Sequence, residues 1–208
     1  MKKTWEYFSN LEKTLWLLSV ITILLSFIFY KSNEYLYLIG SLIGVTALIF
    51  TAKGHVVGQV LIVVFSIFYG IISYSFAYYG EMITYLGMTT PIAIASIVTW
   101  LKNPAEGKNN EVQVNSIKLT EYILMLLGGI AVTVAFYFIL SAMNTESLII
   151  STLSVLTSFV ASYLTMRRSK FYALAYALND IVLITLWVIA SQVNHSYVPI
   201  VICFIAFF

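Results

Sequence analysis

Long apolar runs recur along almost the whole chain, and that recurrence leaves few folds open. In hydrocarbon every backbone N–H and C=O must be satisfied within the protein, so only helices and closed barrels span a bilayer. A barrel would read as alternating segments of about ten residues, and none occur. A spanning helix needs about 20 mainly apolar residues. Runs of that kind lie near residues 14–30, 35–52, 56–79, 82–101, 120–141, 147–166 and 170–190. An eighth, 197–208, is too short to span and stops inside apolar sequence, as a truncated or continuing chain would. With 61% hydrophobic and 10% charged residues, a soluble domain is excluded. The first run has no small-residue cleavage site and leads at once into further apolar helices, so it is not a removable signal. The expected class is an all-α membrane protein of about eight transmembrane helices.

The basic residues test that count. With the N-terminus in the cytoplasm, Lys2, Lys3, Lys13, Lys53, Lys102, Lys108, Lys118, Arg167, Arg168 and Lys170 fall on the cytoplasmic side and only Lys31 on the other. Ten against one satisfies the positive-inside rule. Residues 102–118, with Asn-Pro, Gly and near-cancelling charge, read as a cytoplasmic loop. His55 and His195 then lie near opposite faces.

Helices 2–4 and 6–8 echo one another. Each triplet has a short basic turn after its first helix, Lys53-Gly54-His55 and Arg167-Arg168-Ser169-Lys170, and a proline in its last, Pro91 and Pro199. The reading is two parallel three-helix bundles, 35–101 and 147–208, joined by a loop and linker helix, 102–146, with residues 1–34 as an extra N-terminal helix. The prolines are either plain kinks or hinges of a gate.

Asp180, the only aspartate, stands mid-run beside Asn179. An intramembrane charge is costly, roughly 2.5–3.5 kcal/mol on insertion scales, and marks a substrate or ion path. Tyr172, Tyr176, Asn179, Asp180, Leu183 and Trp187 share one helix face by spacings of three and four. Gln59, Ser66, Tyr69 and Ser73 do the same on helix 3. Two such faces in opposition would make a polar, aromatic-lined pocket for a flat ring on a hydroxylated sugar. A cation there would gain from Asp180 and from the tyrosine faces. Tyr172 and Trp187 read equally well as interfacial anchors. The stripe Ser151, Ser154, Ser158, Ser162 reads most simply as small-residue packing. Glu81 is a solvated loop charge or part of an outer gate. No metal, cofactor, nucleic-acid or catalytic constellation is visible, and Cys203 is the only cysteine.

Several stretches together resemble the nicotinamide riboside transporter (PnuC) family. They are Gln59 to Gly70, Tyr79-Gly80-Glu81-Met82, Pro91, Trp100-Leu101-Lys102-Asn103-Pro104, Arg167 to Lys170, and Asn179-Asp180 with Trp187. The resemblance covers most of the chain from about Tyr35. It implies a SWEET-like fold and facilitated uptake of a vitamin precursor across the bacterial inner membrane, without ion coupling. It implies trapping of the substrate by a cytosolic kinase, a homotrimer, and polar substrate contacts at Gln59, Asn179 and Asp180. Many members carry tryptophans just before the Asn/Asp position, where this chain has Phe171 to Tyr176. That departure leaves thiamine, riboflavin and deoxynucleosides as alternative substrates. A proton-coupled symporter, and the binding subunit of an ATP-driven importer, are the rival mechanisms.

Overall fold

Helix α1 (Asn10–Phe29) starts ahead of its apolar run because Ser9 and Glu12 close a reciprocal cap. The Glu12 N–H donates to Ser9 Oγ at 3.3 Å, and the Ser9 N–H donates to Glu12 Oε2 at 2.7 Å. The computed structural model describes residues 6–30, 35–75, 78–145, 147–193 and 198–208. Lys2, Lys3, Lys31, His195 and Tyr197 lie outside the described residues. The remaining helices are α2 (Tyr35–Ala52), α3 (Val56–Ser75), α4 (Tyr79–Leu101), α5 (Leu119–Ala142), α6 (Leu148–Met166), α7 (Tyr172–Val193) and α8 (Val198–Phe207). Among the described residues, seven helices are long and apolar enough to cross a membrane, and α8 has ten residues.

The helices pack as two triplets. α2 lies against α3 and α3 against α4; α6 lies against α7 and α7 against α8. The triplets meet along α4–α6 and α2–α8, so the last helix of each touches the first helix of the other. α5 packs on α6, and α1 covers α2 and α8. The echo between the basic turns extends to single atoms. α2 ends with the Gly54 N–H on Thr51 O and the His55 N–H on Phe50 O; α6 ends with the Arg168 N–H on Thr165 O and the Ser169 N–H on Leu164 O. Both turns pass through a left-handed residue, Gly54 (φ 69°) and Arg168 (φ 59°), the arrangement that satisfies the last carbonyls of a helix.

The connection read as an open loop contains a small antiparallel hairpin, β1 (Pro104–Ala105) and β2 (Lys108–Val112), turning at Gly107. Its polar Lys-Asn-Asn-Glu-Val stretch carries no hydrophobic alternation, so the sequence gives no strand signal. The chain's edge is occupied instead by the two turns. The Val112 N–H donates to Gly54 O and the Asn115 N–H to Arg168 O, both at 2.9 Å. The end of β2 and the segment just after it therefore grip equivalent atoms of the two triplets. Tyr7 adds a hydrogen bond to Glu111 at 2.7 Å.

α4 widens into a π-helical turn over Thr84–Thr89. Pro91 lies just beyond it, lacks an N–H, and crowds the carbonyl four residues back. The wider turn absorbs that conflict: both the Thr90 N–H and its hydroxyl reach Tyr85 O.

Close approach of α2 and α3 depends on Gly58. A Cβ there would lie 2.5 Å from the Thr51 backbone nitrogen, whereas one at Gly128 would meet only Phe159 at 3.8 Å. Gly58→Ala should therefore lower the thermal unfolding midpoint in detergent by many degrees, and Gly128→Ala should leave it nearly unchanged. Equal midpoints for the two variants would contradict this packing.

Candidate functional site

The site begins with α7. Asp180 is eight residues into the helix, about 12 Å from its start at 1.5 Å per residue, which sets it deep in the bundle. Only 9% of it is exposed, and among the described residues its carboxylate makes no hydrogen bond. It opens instead on a cavity of about 60 Å³, room for a few waters and well below the roughly 300–1,000 Å³ of small-molecule sites, so a ligand requires the walls to part. Tyr176 and Asn179 stand beside it, and α6 faces them with Ser158 and Ser162. Tyr85 and Thr89 enter the wall from the π-helical turn, so Pro91 acts on the site through the turn it imposes. Phe65, Phe204 and Phe207 supply aromatic surface, and Gly44 leaves room for the Phe65 and Phe207 rings.

Asn179 is held by α6. The hydroxyls of Thr157 and Ser158 both donate to Asn179 Oδ1 at 2.8 Å. Most hydroxyls in this bundle return to their own helix four residues back, as Ser66, Thr152 and Thr165 do. Ser158 does not. With its carbonyl committed, Asn179 offers its amide N–H groups to a ligand. No lysine, arginine or histidine lines the cavity among the described residues. The lining is therefore one unpaired carboxylate, one oriented amide, a few hydroxyls and aromatic rings.

The residues singled out from sequence separate into groups. Tyr176, Asn179 and Asp180 come together in the cavity; Tyr172 lines an adjoining one that shares Tyr176 and Asp180. Trp187 is fully buried and packs on Tyr78, ring centroids 4.8 Å apart. Tyr69 is also fully buried, donating to Cys203 Sγ at 3.5 Å. Ser66 spends its hydroxyl on Ile62 O. Gln59 sits at a closely packed junction that shares Tyr176 and leaves no room for a water, with its amide 3.5 Å from Thr51 Oγ1. The polar wall facing α7 is thus α6 rather than α3, which contributes Ile62 and Phe65. The spacing of the α6 serines suits packing and ligand contact equally, and only the presence of Asn179 across the interface separates the two. Pro199 sits in the first turn of α8, where a missing N–H is harmless, and borders a crevice between α1 and α2. Glu81 is not a solvated loop charge. It is helical and 2% exposed, and accepts a hydrogen bond from Ser154 at 3.2 Å. Its run Tyr79–Ile83 belongs to α4, which starts earlier than residue 82.

Three comparisons bear on this arrangement. The family model described as nicotinamide mononucleotide transporter matches residues 34–208, which leaves α1 outside it. The nicotinamide riboside transporter PnuC of Neisseria mucosa is 21% identical over 207 residues, covering 98% of this chain and 77% of its own length. The crystal structure of the vitamin B3 transporter PnuC aligns with a TM-score of 0.83 at 20% identity, over 96% of this chain and 86% of that one, so the two share a fold.

Replacing Thr157 by Val together with Ser158 by Ala would leave the Asn179 carbonyl buried without a donor. The expected loss is about 1–3 kcal/mol, read as a lower unfolding midpoint. Ser66→Ala, which removes only a bond within its own helix, should change the midpoint far less. Similar midpoints for the two would show that Asn179 does not depend on α6.

Proposed function

The chain belongs to the nicotinamide mononucleotide transporter family, and we propose that the substrate it carries is nicotinamide riboside, imported by facilitated diffusion. The unpaired Asp180 carboxylate in an aromatic, base-free cavity carries this reading. Nicotinamide riboside is a pyridinium cation on a neutral sugar. Asp180 answers its charge, Tyr176 and the phenylalanines its ring, and Asn179 with Ser158 and Ser162 the sugar hydroxyls or carboxamide. A mononucleotide would bring a phosphate of about −1.5 to −2 charge into a lining without a cation to receive it. The riboside therefore fits better than the compound in the family's description. The relatives' own names, a nicotinamide riboside transporter and a vitamin B3 transporter, point the same way.

The basic turns face the cytoplasm of a bacterium, both chain ends with them. Residues 35–101 and 147–208 rock against each other to expose the site to each side in turn, with 102–146 as linker and 1–34 as an added helix. Pro91, Pro199 and Glu81 belong to the parts that yield or close. Phosphorylation by a cytosolic kinase draws uptake inward, and the assembly is a homotrimer in the inner membrane. Tyrosines where relatives carry tryptophan keep thiamine, riboflavin and deoxynucleosides as comparison ligands.

Calorimetry on purified protein tests the substrate. Nicotinamide riboside should bind in preference to its mononucleotide, and Asp180→Asn should weaken it about ten- to hundred-fold without unfolding the protein. Parent-like affinity in Asp180→Asn would remove the carboxylate from the site. In liposomes, uptake should persist when proton and sodium gradients are collapsed and with no ATP-driven partner present. A steep proton dependence would make Asp180 a proton carrier.

A further inference from the structure

The adjoining cavity, about 210 Å³, lies toward the end of the molecule that bears the basic turns. Thr51 and Ala52 border it at the end of α2, Tyr172 and Ala173 at the start of α7. It shares Leu48, Tyr176, Asp180 and Phe207 with the central cavity, so the same carboxylate and the same Phe207 side chain line both. The other end of the central cavity is filled. Tyr69 packs on Phe65, Tyr85 and Phe204 with ring centroids 4.6, 5.4 and 5.6 Å apart, and Trp187 on Tyr78 lies beyond. Continuity of space therefore runs one way, toward the basic turns.

One hydrogen bond crosses that way out. The Tyr172 hydroxyl, on the second triplet, donates to the Thr51 carbonyl, on the first, at 2.8 Å. Thr51 O also accepts the Gly54 N–H at 2.8 Å. Breaking the cross-bond thus orphans nothing: the carbonyl keeps its turn hydrogen bond, and Tyr172, itself half-buried, can turn to water. A bond that joins two bodies at a rim and breaks without leaving an unsatisfied group has the chemistry of a latch. The interlocks on the α4–α6 side are of another kind. There the fully buried Trp100 donates to Thr165 O at 2.9 Å, and losing that bond would strand an indole N–H inside the bundle.

We propose that the second cavity is a transit subsite for the substrate, and that Tyr172 is the latch on its rim rather than a ring-stacking contact. The idea rests on the transport reading, but its test uses no substrate, so failure of nicotinamide riboside to bind would not obscure the result. Cys203→Ala removes the only native thiol, and Ala177→Cys places a reporter in the subsite wall. The rate of reaction with a membrane-impermeant maleimide is measured in spheroplasts and in inverted vesicles, with Lys170→Cys marking the face that bears the turns. The reporter should react from the same face as Lys170→Cys, and adding Tyr172→Phe should speed it about three- to ten-fold, the effect of losing one hydrogen bond. An unchanged rate in Tyr172→Phe, or reaction from the opposite face, would overturn the proposal.

Discussion

The bilayer offers no hydrogen bonds, and that deficit organises this molecule. A polar group inside it must find a partner in the protein, return to its own helix, or face water. Most serines and threonines take the second course. Those that also reach another helix, and Ser158, which bonds only across, mark where the helices are joined or where a ligand is received. Thr157 and Ser158 reach Asn179, Ser154 reaches Glu81, and Thr99 reaches the Met166 carbonyl. Among the described residues, Asp180 alone of the carboxyls deep in the bundle is left with a cavity for a partner, and this asymmetry separates it from Glu81, which is buried and bonded.

The two triplets are joined unevenly. Along α4–α6 the contact runs from Glu81 and Ser154 near one end to Trp100 and Thr165 near the other. The buried Trp100 bond at the basic-turn end suits a pivot, while Glu81 at the other end stands with the parts proposed to yield. The side formed by α2, α7 and α8 encloses the cavities and is crossed at its rim by the Tyr172–Thr51 bond. The β1–β2 hairpin and the segment after it add a tie across the basic turns, Val112 to Gly54 O and Asn115 to Arg168 O. Closure of such a molecule is a matter of ring packing and a few reversible bonds, while the Trp100 pivot holds the two halves in register.

Periodicity and composition made the helices legible, because a hydrocarbon crossing demands the same apolar length each time. The Tyr176, Asn179, Asp180 face was equally legible, since a lone acid in such a run has few explanations. The opposite wall was not. Serines spaced by four look alike whether they face a helix or a ligand, and assignment of Ser158 required knowing that Asn179 sits across from it. Tyr69 and Trp187 shared a helix face with site residues yet became part of the aromatic plug, because a face is about a helix radius wide and the cavity is shorter than the helix. The α1 cap is written in the sequence as Ser9 with Glu12 three residues on, a signal weaker than the apolar run that follows it. The π-helical turn gave one signal, Pro91, which does not say whether a helix will kink or widen.

A structure of the protein with nicotinamide riboside bound tests the central claim most directly. The pyridinium ring should lie between Tyr176 and the phenylalanines, within about 4–6 Å of the Asp180 carboxylate, with an acceptor of the ligand on the Asn179 amide. Ligand bound elsewhere in the bundle, with Asp180 untouched and the α6–α7 cavity filled by side chains, would contradict it.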